Sequence, residues 1–579
     1  VDVGEEFNKK FRNVGVAEFF RKNLQMLGYS GAIRSFTTII HEFVTNSLDA
    51  CEEYGILPEV HVNIKDIGTK KKDKNTIKLK KLEERLEGAE ESGNKKKIDK
   101  LKRELEKLEN QIGDALGHYI VTIEDNGPGI PLEYVPKVFG SMLSGTKFHR
   151  YVQSRGQQGI GAVGAVLFSQ MTTGKPTKVI TSTGKGKASV VFLRVDVENN
   201  RAEIVDENVV DSGEWRGTKI VAEFKGLIYR RGEQSPYEYL RRTSMANPHA
   251  VVTLKEPGRR KITWKRTSKE LPPLPKEMKP HPLGLSADDL LAFAHKSKAK
   301  KLSNFLEGDL SRVSGNKARE AMKVAKIENK DPAKLNHVEA ERLLHSFKNM
   351  KLLSPSTEGM TPIEEKHLEK SLKELLEAKF IKANTRKPSV YRGGIPFQVE
   401  VAVAYGGNAG RSRSDGRKME IMRFANKSPL LFDTGACGIS TAIKSVNWKN
   451  YNVADFENAP LTIFVNLISP HIPYTSAGKQ AVADDDDVIK EIRFAVMEAG
   501  RILKRYISGI HREALKVKRR SMFLKYAPEV AWALGKIKNQ NPEGIENMLI
   551  GMIEKRIKIK ETKEAKELEE AKKATSSNK

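Results

Sequence analysis

The strongest hydrophobic pattern lies in residues 37–50, Thr-Thr-Ile-Ile-His-Glu-Phe-Val-Thr-Asn-Ser-Leu-Asp-Ala. Ile39, Ile40, Phe43, Val44 and Leu48 recur at helical spacing and predict a helix over Phe36–Gly55, pinned against a core. Glu42, Asn46 and Asp49 stand at i, i+4 and i+7 and share another face of that helix. Two carboxylates and a carboxamide so near a core are costly unless they bind something.

Elsewhere the periodicity alternates between helix and strand. Residues 5–30 read as amphipathic and helical, and His61–Ile67 as a short strand. Leu79, Leu82 and Leu86, then Ile98, Leu101, Leu105, Leu108 and Ile112, are spaced by threes and fours. They predict a lysine- and glutamate-rich helical hairpin over 68–113, turning at Ser92-Gly93-Asn94. His118–Glu124 is a strand that runs into Asp125-Asn126-Gly127-Pro128-Gly129. A Gly/Ser/Lys-rich loop from Phe139 to Gly161 precedes a buried helix over Val163–Thr172. Strands at Lys178–Thr181, Ala188–Val195, Gly217–Phe224, Val251–Leu254 and Lys261–Lys265 complete an α/β sandwich with a mixed sheet.

Pro273–Pro282 reads as a linker. Short helices follow at Ala287–Ala294, Leu302–Glu307 and Asn316–Val324, flanked by Lys317, Arg319 and Lys323. They suit contact with a DNA backbone and a plain helical spacer equally. A second α/β unit starts near Thr361, with a helix over Glu364–Leu376 and strands at Phe397–Val403, Lys418–Phe424 and Leu461–Leu467. The acidic run Asp484–Asp487 suits a helix N-terminus, and the helix is predicted over Val488–Lys518. Residues 560–579 are charge-dense and poor in apolar side chains.

Composition narrows the classes. A chain of 579 residues is too long for one core, and about three or four domains are expected. Its net charge of +27 favours an anionic partner, with nucleic acid the leading candidate. No apolar run approaches membrane-spanning length, and the first residues lack a signal-peptide pattern. The two cysteines, Cys51 and Cys437, cannot make a metal cluster or a disulfide framework.

Four motifs follow one another in order: Glu42/Asn46/Asp49 on a helix, Asp125-x-Gly127-x-Gly129 after a strand, Gly156-Gln157-Gln158-Gly159-Ile160-Gly161 before a helix, and Gly217-Thr218 opening a late strand. Any one alone is an ordinary turn or surface acid. Together they suit a nucleotide. Asn46 offers an oxygen to Mg²⁺, a hard ion that also wants phosphates. Glu42, one turn away, suits a general base. Asp125 accepts from an exocyclic amine, and Thr218 adds a hydroxyl. Gly127 and Gly129 admit a flat base closely. Gly156, Gly159 and Gly161 expose amides ahead of a helix N-terminus, a phosphate cradle without a Walker lysine. Asp49 is either a direct nucleotide contact or a support for one.

This ordered set resembles the Bergerat ATP-binding fold of the GHKL superfamily. The wider text is similar to the B subunits of archaeal DNA topoisomerase VI, a type IIB family. The matching stretches include Phe148–Gln170, Pro280-His281-Pro282, Ser354-Pro355-Ser356-Thr357, Ala404-Tyr405-Gly406-Gly407, Arg423–Asp433 and Tyr474–Gln480. The resemblance implies an α/β multidomain protein. Its parts would be a GHKL α/β sandwich over 1–276, with 68–113 an insertion, a helix-two-turns-helix domain over 277–350, and an α/β transducer over 351–530. A C-terminal helical segment and charged tail would fill 531–579. It also implies that ATP and Mg²⁺ bind at the motif residues together with Lys147, and that Lys479 is the transducer's switch lysine at the γ-phosphate. Further implied are ATP-driven dimerisation of B subunits, with N-terminal residues crossing between protomers, and an A2B2 heterotetramer with the family's A subunit. The A subunit would cut double-stranded DNA, so that one duplex passes through a break in another and the DNA is relaxed or decatenated. The implied setting is the archaeal cytoplasm at the nucleoid, with no membrane.

Two features depart from that pattern. The 68–113 hairpin is long for the family and is either a DNA antenna or a solvated insertion. Some members carry an additional immunoglobulin-like C-terminal domain, whereas here a Lys/Glu-rich tail is read and that domain is expected to be absent or removed. Two rivals share the ATP motifs. One is a GHKL chaperone or mismatch-repair-like ATPase without a cleaving partner. The other is a structural B-like partner of a DNA-breaking protein. The first rival does not call for Arg423–Asp433 or the helical insert, and the intact Glu42 and Asn46 speak against the decayed ATPase of the second.

Overall fold

Alternating burial builds the first sheet. Tyr119, Val121 and Ile123 turn inward from one strand and Val60, Val62 and Ile64 from its neighbour, while the residues between them are more exposed. The structure is a computed structural model that describes residues 15–68, 116–145, 151–156, 159–259, 261–413 and 416–557, with scattered positions between 78 and 108. Most of the hairpin expected over 68–113 lies outside the described residues, as do residues 1–14, Lys147, Gln157, Gln158 and the tail from 558.

Eight strands form this sheet: β1 (Glu59–Asp66), β2 (Gly117–Asp125), β3 (Thr177–Ser182), β4 (Lys187–Asp196), β5 (Arg201–Asp211), β6 (Gly217–Leu227), β7 (Val251–Lys255) and β8 (Lys261–Trp264). Their order is β5-β4-β3-β6-β2-β1-β7-β8. The β1–β7 pair is parallel and the other pairs antiparallel, so the sheet is mixed. The first helices are α1 (Val16–Lys22), α2 (Ala32–Glu53), α3 (Val135–Gly140), α4 (Gly161–Thr173) and α5 (Pro236–Ala246). Phe36, Ile39, Ile40, Phe43, Val44 and Leu48 of α2 and Val163, Val166 and Leu167 of α4 join the strands in one core. Burying one such side chain contributes roughly 1.5–3 kcal/mol, which fixes α2 in rotation and so fixes where its polar face points.

Four short helices, α6 (Ala287–Lys296), α7 (Leu302–Asp309), α8 (Gly315–Ala325) and α9 (His337–Lys348), enclose a core of their own around Phe305, Leu306, Leu343 and Phe347. After α10 (Glu365–Leu376) comes a second sheet. It comprises β9 (Phe380–Thr385), β10 (Ser389–Tyr391), β11 (Ile395–Tyr405), then, beyond a separate β12–β13 hairpin (Arg411–Arg413, Gly416–Lys418), β14 (Glu420–Ala425), β15 (Ser428–Leu430) and β16 (Leu461–Ile468). Phe424 and Phe464 stack at its centre, 4.3 Å apart. The chain packs as two compact units, 1–446 with 460–496, and 447–459 with 497–579. In the second unit Trp448 stacks on Phe456, Asn452 bonds Ser508, and Arg520 pairs with Glu554. No described helix is long and apolar enough to cross a membrane.

Several elements differ from the sequence expectation. Helix α2 starts at Ala32, after Gly31 with φ +78°. β5 is almost wholly exposed, and without a buried side it leaves no alternation to read. α5 was hidden by its charges. Ser235 caps it by accepting the Glu238 amide, and Arg242 is buried against Glu238 and Glu420 instead of facing water. α9 starts from a capping box of Asn336 and Glu339. The last long helix, α12 (Asp486–Lys538, after α11 at Gly438–Lys444), runs twenty residues past Lys518 and through the expected boundary at 530/531. The basic cluster Arg512–Arg520 resembles a helix end electrostatically but lies inside the helix. A final helix, α13, covers Pro542–Arg556.

Candidate nucleotide site

The site begins where strands end. Asp125 closes β2, and Gly217–Thr218 open β6 beside it. Gly217 has φ +145°, and a Cβ there would overlap the Asp125 carbonyl. Gly129 (φ +75°) backs onto the Ser182 carbonyl in the same way, and Thr181 Oγ1 ties the loop to β3 by accepting the Ile130 amide at 2.7 Å.

The Asp125 carboxylate is buried. Its Oδ1 accepts the Gly127 and Thr218 amides, each at 3.0 Å, and its Oδ2 accepts Ser47 Oγ at 2.7 Å. Burial pushes this carboxyl above its ordinary range, and the three hydrogen bonds oppose that shift. A carboxylate offers about four acceptor positions, so roughly one is left over by these three bonds. Thr218 is buried beside it. Gly127 borders both Asp125 and Cys51, leaving no room for a side chain without a shift.

The polar face of α2 lies along the glycine segment in reverse order. Glu42 faces Gly161, the first residue of α4, and a Cβ at Gly161 would overlap its carboxylate. Asn46 is exposed, and its Oδ1 lies 3.5 Å from the Cβ position of Gly156. Asp49 is buried, with its Oδ1 2.6 Å from Arg155 Nη1. Its Oδ2 accepts the Gly156 amide at 3.4 Å. Gly159 takes φ +58° beneath the Ser144 carbonyl, and Ile160 is the buried residue from which α4 starts. Gln157, Gln158 and Lys147 fall outside the described residues. His41 packs edge-on against Tyr239 with its Nε2 3.9 Å from the Glu42 carboxylate, and burial lowers its pKa.

Lys479 comes from far along the chain. Its loop is closed by the Tyr474–Val482 bridge, and Lys479 itself has φ +52°. Nζ donates to the Arg155 carbonyl at 3.4 Å. The switch-lysine candidate and the root of the glycine segment therefore meet.

Four buried residues here had no sequence signal of their own. Ser47 is a small polar residue on the sheet-facing side of α2, detectable only by pairing it with a strand-end acid. Arg155 binds Asp49, Glu52 (2.8 and 2.9 Å) and Asn247. His249 adds a 2.7 Å bond to Glu52. Burial pushes Glu52 up, but Arg155 and His249 outweigh it and hold the carboxyl well below the usual range. Lys427 stands in the same neighbourhood, its pKa lowered by burial. A cavity of about 140 Å³ lies behind this cluster, walled by Asp49, Glu52, Arg155, Pro273, Asn426 and Lys427. It is distinct from the Glu42–Asp125 side of α2.

Asn46 supplies one neutral carboxamide oxygen, a ligand type that a hard cation such as Mg²⁺ accepts. A side chain at Gly161 would overlap Glu42 and one at Gly156 would touch Asn46, so the glycines let the segment lie close along α2.

Residues 89–199 match the family described as histidine kinase-, DNA gyrase B- and HSP90-like ATPase, and residues 355–519 match the topoisomerase VI B subunit transducer. The first match starts beyond Glu42 and Asn46. The chain is 42 % identical over 610 residues to the B subunit of type 2 DNA topoisomerase 6 from Pyrococcus horikoshii, covering 97 % of this chain and 98 % of that protein. It is 42 % identical to the protein of the same name from Methanothermobacter thermautotrophicus, over 90 % of this chain and 92 % of that one. The eight-stranded sheet with α2 and α4 is thus a Bergerat ATPase fold, and the second sheet with its helices is a transducer. With near-complete coverage at that identity, the chain belongs to the family of type 2 DNA topoisomerase 6 B subunits.

Proposed function

We propose that this chain is the ATP-operated clamp of a type IIB DNA topoisomerase, dimerising on ATP binding while its partner, the A subunit, cuts the DNA. The observation that carries the reading is the antiparallel match of Glu42, Asn46 and Asp49 with Gly161, Gly156 and Arg155. It places an acid and a carboxamide along a run of backbone amides at a helix N-terminus.

Each residue then has a task. Asp125 takes the exocyclic amine of adenine on its remaining acceptor position, with Ser47 and two amides holding it in orientation. Thr218 adds its hydroxyl, and Gly127 and Gly129 let the backbone lie against the base. The amides of Gly159, Ile160 and Gly161 hold the phosphates, helped by Gly156, Gln157, Gln158 and Lys147. Glu42 takes the proton from the water that attacks the γ-phosphate, a contribution of roughly 10²–10⁴ in rate. Asn46 would hold Mg²⁺, which would supply charge neutralisation at the phosphates. Lys479 senses the γ-phosphate and reports it to the transducer. Asp49 supports the site from behind.

The assembly is an A2B2 heterotetramer acting on double-stranded DNA in the archaeal cytoplasm. ATP-driven B–B dimerisation closes the gate, and hydrolysis reopens it. The net charge of +27 suits this partner. The proposed divisions are 1–276, 277–350, 351–530 and 531–579, of which the last boundary crosses a continuous helix. Reconstitution tests the reading. The chain should co-purify with a partner that carries a nucleophilic tyrosine and a Toprim domain, and should relax supercoils only with that partner and ATP. ATP hydrolysis without any such partner, and relaxation by neither, would favour the chaperone-like rival.

A further inference from the structure

The three residues ahead of the glycine segment are each bonded to a different part of the transducer. Gln153 exchanges two hydrogen bonds with the Thr361 main chain, at 2.7 and 3.1 Å. The Ser154 carbonyl accepts Asn426 Nδ2 at 3.0 Å. The Arg155 carbonyl accepts Lys479 Nζ. Asn426 also bonds the Ser469 carbonyl and accepts the Ser469 amide, so it is rigid within the transducer sheet.

Arg155 faces the other way with its side chain. The guanidinium is buried and forks between Asp49 and Glu52 of α2, one turn beyond Asn46, and Asn247 after α5. Asn247 in turn donates to the Lys427 carbonyl at 3.3 Å. One residue thus has its main chain held by the transducer and its side chain held by the helix that carries Glu42. The next residue, Gly156, begins the phosphate segment and itself bonds Asp49.

We propose that Arg155 is a positioning residue that couples the Lys479 loop to α2 and the glycine segment. Any displacement of the transducer at Thr361, Asn426 or Lys479 arrives at the root of the phosphate segment. The guanidinium passes it to Asp49 and Glu52 as a rigid two-pronged contact that a lysine cannot reproduce. Asp49 then acts on the nucleotide through Arg155 and Gly156. This rests on the ATP-site reading above. The competing account is a buried ion cluster that only stabilises the fold.

A double-mutant cycle in the full chain, with DNA and the A subunit present, separates the two. Arg155→Lys keeps the charge and loses the fork. It should leave the KM for ATP within about threefold while kcat falls about tenfold or more, with the thermal midpoint little changed. Lys479→Met should lower kcat similarly. The double variant should be no slower than the slower single within about threefold, because both changes break one linkage. Multiplicative losses, or an unchanged kcat in Arg155→Lys, would overturn the proposal. Should Arg155→Lys fail to fold, Asp49→Asn replaces it in the same cycle with the same two outcomes. Wild-type protein that does not bind ATP would bring down the site reading itself, whereas normal ATP binding with multiplicative losses removes only the role of Arg155.

Discussion

The carboxylate of Glu42 lies against the Cα of Gly161, so close that no side chain fits between them. An acid is thereby set at the N-terminus of α4, where the helix dipole favours negative charge. The same end of α4 is the proposed seat of the phosphates. On the proposed reading, Glu42 and the terminal phosphate are neighbours.

Gly161→Ala tests that contact. The position is the first of α4 and lacks a positive φ, so alanine is compatible with the backbone there, and the overlap is with the far end of the flexible Glu42 side chain. The methyl must instead displace Glu42. We expect kcat for ATP to fall about tenfold or more with an undiminished thermal midpoint. Unchanged turnover would show that the placement of Glu42 does not matter.

Glu42→Gln keeps the shape and removes the base. Hydrolysis should fall by about two to four orders of magnitude, while nucleotide-driven dimerisation persists. Steady-state phosphate release, paired with sedimentation in the presence of ATP, reads both. Ordinary turnover in this variant would rule out the general-base role.

Ser47→Ala removes one of the three donors to Asp125. Hydrogen bonds to charged groups contribute roughly 1.5–3 kcal/mol, so ATP affinity should weaken by about tenfold or more, with kcat much less affected. Calorimetric titration decides it, and an unaltered Kd would mean that Asp125 is oriented by the backbone amides alone.

Acid should weaken nucleotide binding through Asp125. Burial raises this carboxyl above its ordinary value of 3.8 despite its hydrogen bonds. The ionised acceptor is lost as pH falls through that raised value, earlier than for an exposed aspartate. For stability the sign is opposite. The folded state holds the proton more tightly than the unfolded chain, so the contribution is full below the unfolded pKa and is lost as pH rises through the folded one. Kd against pH for wild type and Asp125→Asn should diverge on the acid side. Parallel curves would contradict it.

Arg34 and Asp433 join α2 to the loop after β15 with two bonds of 3.0 and 2.9 Å, and Arg34 also covers the Phe432 ring at 5.0 Å. The pair is partly exposed, which limits it to roughly 1 kcal/mol or less. A double-mutant cycle of Arg34→Ala and Asp433→Asn on thermal stability should return a coupling of that size. A value of several kcal/mol would mean the junction depends on this pair far more than its exposure allows.

By itself the sequence determined what local periodicity can carry. A 3.6-residue repeat of apolar side chains makes α2 and turns Glu42, Asn46 and Asp49 away from the core, and alternation makes β2 deliver Asp125 to a strand end. Those are properties of a few adjacent residues. The tertiary structure decided what each polar group meets. Asp49 and Arg155 are 106 residues apart, and Lys479 is 324 residues from its acceptor. Ser47 and Arg155 gave no signal because a buried polar side chain is tolerable only beside its partner, and that partner is supplied by another element. α5 was missed for the same reason, since the burial of Arg242 depends on Glu420, which another element supplies. β5 was missed for the opposite reason, since a strand exposed on both faces has no alternation to read.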